Sequence, residues 1–128
     1  MGLLDMFKKD SSDKPEKKLV PWIALTDEKQ LKSIKKNSKG KTQIIFKHST
    51  RCGISKMVAN QFQSSYDYDD TVDAYYLDLL NYKPLSAEIA ATFQVMHQSP
   101  QLIVIKNGTV VHHASHHEIH AANIAQFV

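Results

Sequence analysis

Short apolar, β-branched runs along this chain alternate with stretches in which hydrophobic residues recur every three or four positions, a pattern of strands interleaved with amphipathic helices. Trp22-Ile23-Ala24-Leu25 predicts a short first strand, and Thr26 a cap for a helix that carries Leu31 and Ile34 and stops at Gly40. Gln43-Ile44-Ile45-Phe46-Lys47 predicts a second strand. A helix follows it, with Ile54, Met57, Val58, Gln61 and Phe62 at helical spacing. After an acidic loop over 67–70, Val72-Asp73-Ala74-Tyr75-Tyr76-Leu77-Asp78-Leu79 predicts a third strand. Pro84 opens a third helix through Ile89, Ala90 and Phe93, because its missing amide proton costs nothing in a first turn.

The pattern then changes. Pro100 precedes Leu102-Ile103-Val104-Ile105, Asn107-Gly108 predicts a tight hairpin turn, and Thr109-Val110-Val111 returns as the partner strand. Ser115 with Glu118 three residues on has the spacing of a capping box, which predicts a last helix bearing Ile119, Ala122, Ile124 and Phe127. The expected order is βαβαβαββα. Alternating strands and helices imply parallel crossovers and the terminal hairpin adds an antiparallel edge, so the fold class is α/β, a mixed sheet flanked by helices.

A length of 128 residues, 42% of them hydrophobic, suits one domain over 21–128, preceded by a flexible lysine-rich tail over 1–20. Within that tail Leu3, Leu4, Met6 and Phe7 form an apolar cluster too short for stable membrane insertion. The net charge of +3 is spread over lysines with no interleaved aromatics, so no nucleic-acid partner is expected. One cysteine excludes an intrachain disulfide, and without a long apolar run near the start the expected address is cytoplasmic.

That cysteine, Cys52, lies between the second strand and the following helix, near the helix start. The first amides of a helix lack internal partners and the dipole gathers positive charge there, so sulfur held over that end is favoured as thiolate. The sole arginine, Arg51, adjoins it. An ordinary thiol of pKa ~8.5 is only ~3% ionised at pH 7, and lowering it by ~2 units takes ~2.7 kcal/mol of differential stabilisation. The gain in attack is only about threefold, because nucleophilicity falls with pKa; the larger gain is in leaving-group ability, which suits thiol–disulfide exchange. A lone cysteine is more often a small core residue, but the polar, turn-prone flanks Ser49, Thr50, Arg51 and Gly53 favour exposure.

His48-Ser49-Thr50-Arg51-Cys52-Gly53-Ile54-Ser55 and Ser99-Pro100-Gln101, with Trp22, Leu25 and Leu31, resemble the monothiol bacilliredoxin family of thioredoxin-like fold. The resemblance implies Cys52 as the residue that takes bacillithiol off protein mixed disulfides. It further implies bacillithiol as co-substrate with no bound cofactor, and bacillithiolated proteins as partners. Gly53 stands where the family usually has proline. Pro100 resembles the cis-proline that faces the active cysteine, leaving the Ser99 backbone free to pair with substrate. Ser55 occupies the place of a resolving cysteine in two-cysteine relatives, where its hydroxyl is positioned to donate to the thiolate. Thr50, Arg51 and Gly53 complete the expected thiolate-supporting or substrate-binding set, and Arg51 and Lys56 are candidates to steer an anionic thiol such as bacillithiol, whose malate part carries carboxylates.

Three other readings compete. A glutaredoxin-like, glutathione-dependent enzyme is the nearest, although Gln98-Ser99-Pro100 stands where glutaredoxins typically have Thr-Val-Pro. A noncatalytic thioredoxin-fold adaptor is the second. A histidine-rich metal-binding module is the third, since His113/His117 and His116/His120 have i,i+4 spacing. Surface histidines without an acidic or cysteine partner more often stay metal-free, so no metal is expected, His116 and His120 being the pair that would share a helical face. His48 is expected to be structural rather than a general base.

Overall fold

The computed structural model describes residues 20–128. The expected tail over 1–20 therefore lies outside the described residues except for Val20, which is buried in the core. Among the described residues five strands and three α-helices are observed: β1 Ile23–Ala24, α1 Lys29–Asn37, β2 Thr42–His48, α2 Gly53–Ser65, β3 Val72–Asp78, α3 Lys83–Phe93, β4 Gln101–Lys106 and β5 Thr109–Ser115. They form one sheet in the order β1-β3-β2-β4-β5. Strands β1, β3 and β2 run parallel, whereas β4 and β5 are antiparallel, as the helix-then-hairpin pattern requires.

Every residue of β2 is buried, because this central strand is covered on both faces. Ile44 and Phe46 face a core built with Val58 and Phe62 of α2, Leu102 and Val104 of β4, and Ile119, Ala121 and Ile124 near the C-terminus. Ile45 faces a second core with Leu31 and Ile34 of α1, Ile89 and Phe93 of α3, and Leu77. Burying each such side chain contributes about 1.5–3 kcal/mol. The strand alternation therefore hands successive β2 residues to opposite faces.

Several local expectations are corrected. Thr26 does not cap α1; Asp27 Oδ1 accepts from Lys29 N at 2.8 Å, and Gln30 Oε1 accepts from Thr26 N and Asp27 N. That helix ends at Asn37 with Ser38, before Gly40. Ser38 also anchors the hairpin: its Oγ accepts from Gly108 N at 2.7 Å, and Asn107 and Gly108 both take positive φ, 55° and 81°. The stripe assumed for α2 is wrong on one side. Ser55, Val58 and Phe62 are buried, while Ile54 and Met57 are exposed, 46% and 45%.

No α-helix follows β5. Ser115 makes no cap hydrogen bond, and two 3₁₀ segments, His116–Glu118 and Ala121–Phe127, take the place of the expected helix. Three residues per turn stack Ala121, Ile124 and Phe127 on one face, so Ala121 rather than Ala122 enters the core.

Candidate functional site

Cys52 is the N-cap of α2, with extended backbone (φ −98°, ψ 122°), and it is half-buried. It reaches that place because β2 ends at His48 and a tight turn follows, in which Cys52 N donates to Ser49 O at 3.2 Å. Cys52 O accepts from Lys56 N at 3.0 Å as the first helical bond. Its chain neighbours Thr50, Arg51 and Gly53 are exposed, and so are the apolar Ile54 and Met57 of α2. Gly53 has no positive φ and nothing within 4 Å of where a Cβ would stand.

Ser55 is placed otherwise than expected. Its side chain is fully buried; Oγ lies 2.7 Å from His48 Nδ1 and accepts from Ser49 N at 3.2 Å, so the hydroxyl is engaged behind the active turn rather than with the sulfur. His48 is buried against Phe46 and Tyr76. Burial pulls its pKa down, Asp78 opposes this and Lys56 reinforces it. The contact of Nδ1 with the Ser55 hydroxyl holds the His48 ring behind the active turn.

The Ser99–Pro100 peptide is cis and Pro100 is buried. Lys47 pairs with Gln101 in the β2–β4 ladder, so the chain entering β4 runs beside the exit of β2. Gln101, fully buried, braces that entry: Nε2 donates to Met96 O at 3.0 Å and Oε1 accepts from Gln98 N at 3.4 Å. Ser99 and Ser49 line one wall of a cavity of about 500 Å³, with Leu79, Lys83, Ser86 and His97 on the others. The structure thus brings Cys52, Ser49, Ser99 and Pro100 to one end of the sheet, the carboxyl end of β2, where open α/β sheets gather their ligand sites.

Sequence reasoning missed what lies under that cavity. Lys47 has a fully buried side chain, facing the α3 side of the sheet, and its Nζ lies 3.2 Å from His97 Nδ1. Ser86 Oγ lies 3.1 Å from the same nitrogen. Burial pushes the Lys47 ammonium down to about 8, and both burial and Lys47 lower His97. The signal was present as a cation inside an otherwise apolar strand run, Ile44-Ile45-Phe46-Lys47.

His116 and His120 fall in and beside 3₁₀ turns, so the shared α-helical face on which their pairing rested is not formed. Among the described residues, no cluster of three or more His, Cys, Asp or Glu side chains is arranged to hold a metal ion. No helix among them is long and apolar enough to cross a membrane.

The parallel–antiparallel sheet, the cysteine at the head of α2 and the cis-proline opposite define a thioredoxin-fold protein. Solved structures with the same fold include a protein proposed to be an oxidoreductase with a thioredoxin fold. It is 32% identical, covers 81% of this chain and 90% of its own, and has a TM-score of 0.70. Thioredoxin of Malassezia sympodialis matches at 18% identity over 88% of this chain and 90% of that one (TM-score 0.61). Thioredoxin of Fasciola hepatica matches at 18% over 81% and 93% (TM-score 0.59). The family model described as monothiol bacilliredoxin BrxC matches residues 23–124. The chain belongs to the monothiol bacilliredoxin family, and its role is in thiol redox chemistry.

Proposed function

We propose that this protein is a monothiol thiol–disulfide oxidoreductase that removes a low-molecular-weight thiol, bacillithiol, from protein mixed disulfides. Cys52 thiolate attacks the sulfur of the small thiol, the disulfide bond breaks, and the repaired protein leaves as thiolate and takes a proton from water. A second molecule of the small thiol then attacks the Cys52 adduct, freeing Cys52 and leaving as the symmetrical disulfide, which an external reductant must reduce.

The observation that carries this reading is the pairing of a half-buried cysteine at a helix N-cap with Ser55 three residues on. The second sulfur of a two-cysteine exchange is replaced by a hydroxyl committed to His48. Resolution therefore has to come from outside the chain. Such a cycle belongs in a reducing compartment, the cytoplasm in this reading.

The test is a protein bearing bacillithiol on one cysteine, incubated with free bacillithiol and either native protein or the Cys52→Ser variant. Native protein is expected to turn over and the variant to be inactive. Equal rates would falsify the proposal in favour of a noncatalytic adaptor, and faster release of glutathione than of bacillithiol from matched substrates would favour the glutaredoxin-like alternative.

A further inference from the structure

We propose that the cavity between Ser49, Ser99 and the start of α3 is an anion-recognising subsite, in which Lys83 and His97 take the carboxylates of the small thiol and Lys47 holds His97 ready. This deepens the reading of Cys52 as a de-thiolating residue and rests on it.

Three observations carry the proposal. The first is position: the cavity is walled by Ser49, whose carbonyl accepts from Cys52 N, and by Ser99, the residue before the cis-proline. At about 500 Å³ it has the size of a small-molecule site. The second is charge. Lys83 and His97 line it beside the apolar Leu79, Leu80 and Ala87, and among the described residues no carboxylate does.

The third is an excess of buried donors. An ammonium has three protons to give and a hydroxyl one, yet among the described residues Lys47 Nζ has one hydrogen-bond partner, His97 Nδ1, which Ser86 Oγ also approaches. With Nδ1 accepting, the neutral imidazole carries its proton on Nε2 and is an N–H donor there. Behind that ring Lys47 is a buried cation with no counter-ion among the described residues; it raises the local potential, and an anion in the cavity offsets it. Lys47 is therefore a positioning residue, and Lys83 and His97 are the contacts.

The alternative steering cations are placed elsewhere. Arg51 is exposed at the surface, and Lys56 lines a different cavity, against Trp22, Phe46 and Tyr76 on the opposite side of the sheet.

The experiment has two arms. In the first, one peptide is prepared as a mixed disulfide with bacillithiol and, separately, with 2-mercaptoethanol, which carries no charge, and kcat/KM is measured for both. The native protein is expected to prefer the anionic adduct. Lys83→Gln is expected to reduce that preference roughly tenfold through KM, the scale of one charge-assisted hydrogen bond. Lys47→Met is expected to reduce it in the same direction, and Lys36→Gln, on an exposed position of α1, to leave it unchanged. An unchanged ratio in Lys83→Gln, or equal losses on both adducts, overturns the subsite while leaving the exchange chemistry of Cys52 standing.

The second arm needs no turnover. The His97 ring resonances are followed by NMR while L-malate or its dimethyl ester is added to the reduced protein. Saturating shifts with malate, absent with the ester and weakened roughly tenfold in Lys83→Gln, support the subsite even if Cys52 proves inactive. Identical responses to malate and ester, or none to either, overturn it.

Discussion

Ser55 Oγ and His48 Nδ1 stand 2.7 Å apart, both buried, and the same hydroxyl accepts from the Ser49 amide at 3.2 Å. One oxygen thus ties the end of β2, the active turn and the first turn of α2 together. Because the imidazole is neutral inside the fold, one of the two groups donates and the other accepts, and either arrangement leaves the turn on a fixed base. The spacing that in a two-cysteine relative would carry a redox partner here carries a fastener.

Removing that fastener is expected to cost more than an average hydrogen bond. Ser55→Ala strands the buried His48 Nδ1, at a cost of about 1–3 kcal/mol, and takes from the partly buried Ser49 N–H its hydroxyl partner. The urea midpoint of Ser55→Ala is expected to fall accordingly, with an unchanged slope. A loss within a few tenths of a kcal/mol would mean that the hydroxyl is dispensable.

His48 and His97 give the protein an acid-sensitive stability. Both have folded pKa values below 6.5, His48 chiefly through burial and His97 through burial and then Lys47. Below pH 6.5 the unfolded chain therefore takes up protons that the fold refuses. Their contribution to stability is complete above pH 6.5 and is lost as pH falls through the folded values. Urea midpoints between pH 7.5 and 5.0 are expected to decline, and less steeply in His48→Asn. A parallel decline in native and variant proteins would assign the effect to other groups.

Lys47 works in the opposite sense. Its folded pKa of about 8 lies below the ordinary 10.5, so between those values the unfolded chain keeps a proton that the fold has released, and stability rises with pH. Below pH 8 the fold carries the whole cost of a buried ammonium, on the order of 3 kcal/mol. Lys47→Met, similar in volume and apolar, is expected to be at least as stable as the native chain at pH 7 and to lose the rise between pH 8 and 9.5. The window stops there because burial raises Tyr75 and Tyr76 above their ordinary range, and their titration works the other way. A variant that is stabilised yet loses preference for the anionic adduct would show stability exchanged for recognition.

The parts of the fold legible in the sequence were those fixed by local chemistry. Pro84 in the first turn of α3, Asn107-Gly108 at the hairpin and the apolar runs of β2, β3 and β4 each depend on neighbours in the chain. The C-terminal segment was misread because an α-helix and the two 3₁₀ segments on either side of Ile119 use most of the same apolar positions, Ile119, Ile124 and Phe127. The choice between Ala121 and Ala122 is made by the core beneath, which a local pattern does not contain. Cys52 was placed correctly from its flanks. Ser55 was assigned to the sulfur because sequence spacing gives the turn but not the side-chain direction; that is set by His48, seven residues earlier and brought close by β2 ending behind α2. Lys47 and His97 are fifty positions apart and meet only once β2 has been paired with β4.

Gly53 is the residue at which this chain departs from its family's usual proline, and the geometry says the departure is not forced. It is the first helical residue of α2, where an amide has no intrahelical partner and proline's fixed φ is already suitable. Cys52 before it has φ −98° and ψ 122°, within the extended region that a following proline requires. A Cβ added at Gly53 meets nothing within 4 Å. Gly53→Pro is therefore expected to stabilise the protein by about 0.4–1 kcal/mol, by narrowing the unfolded ensemble while leaving the fold unchanged. Urea unfolding of the reduced protein measures this directly. Destabilisation would show that the turn needs the freedom of glycine, and a stabilised variant with slower exchange would show that Gly53 keeps the turn loose for the incoming disulfide.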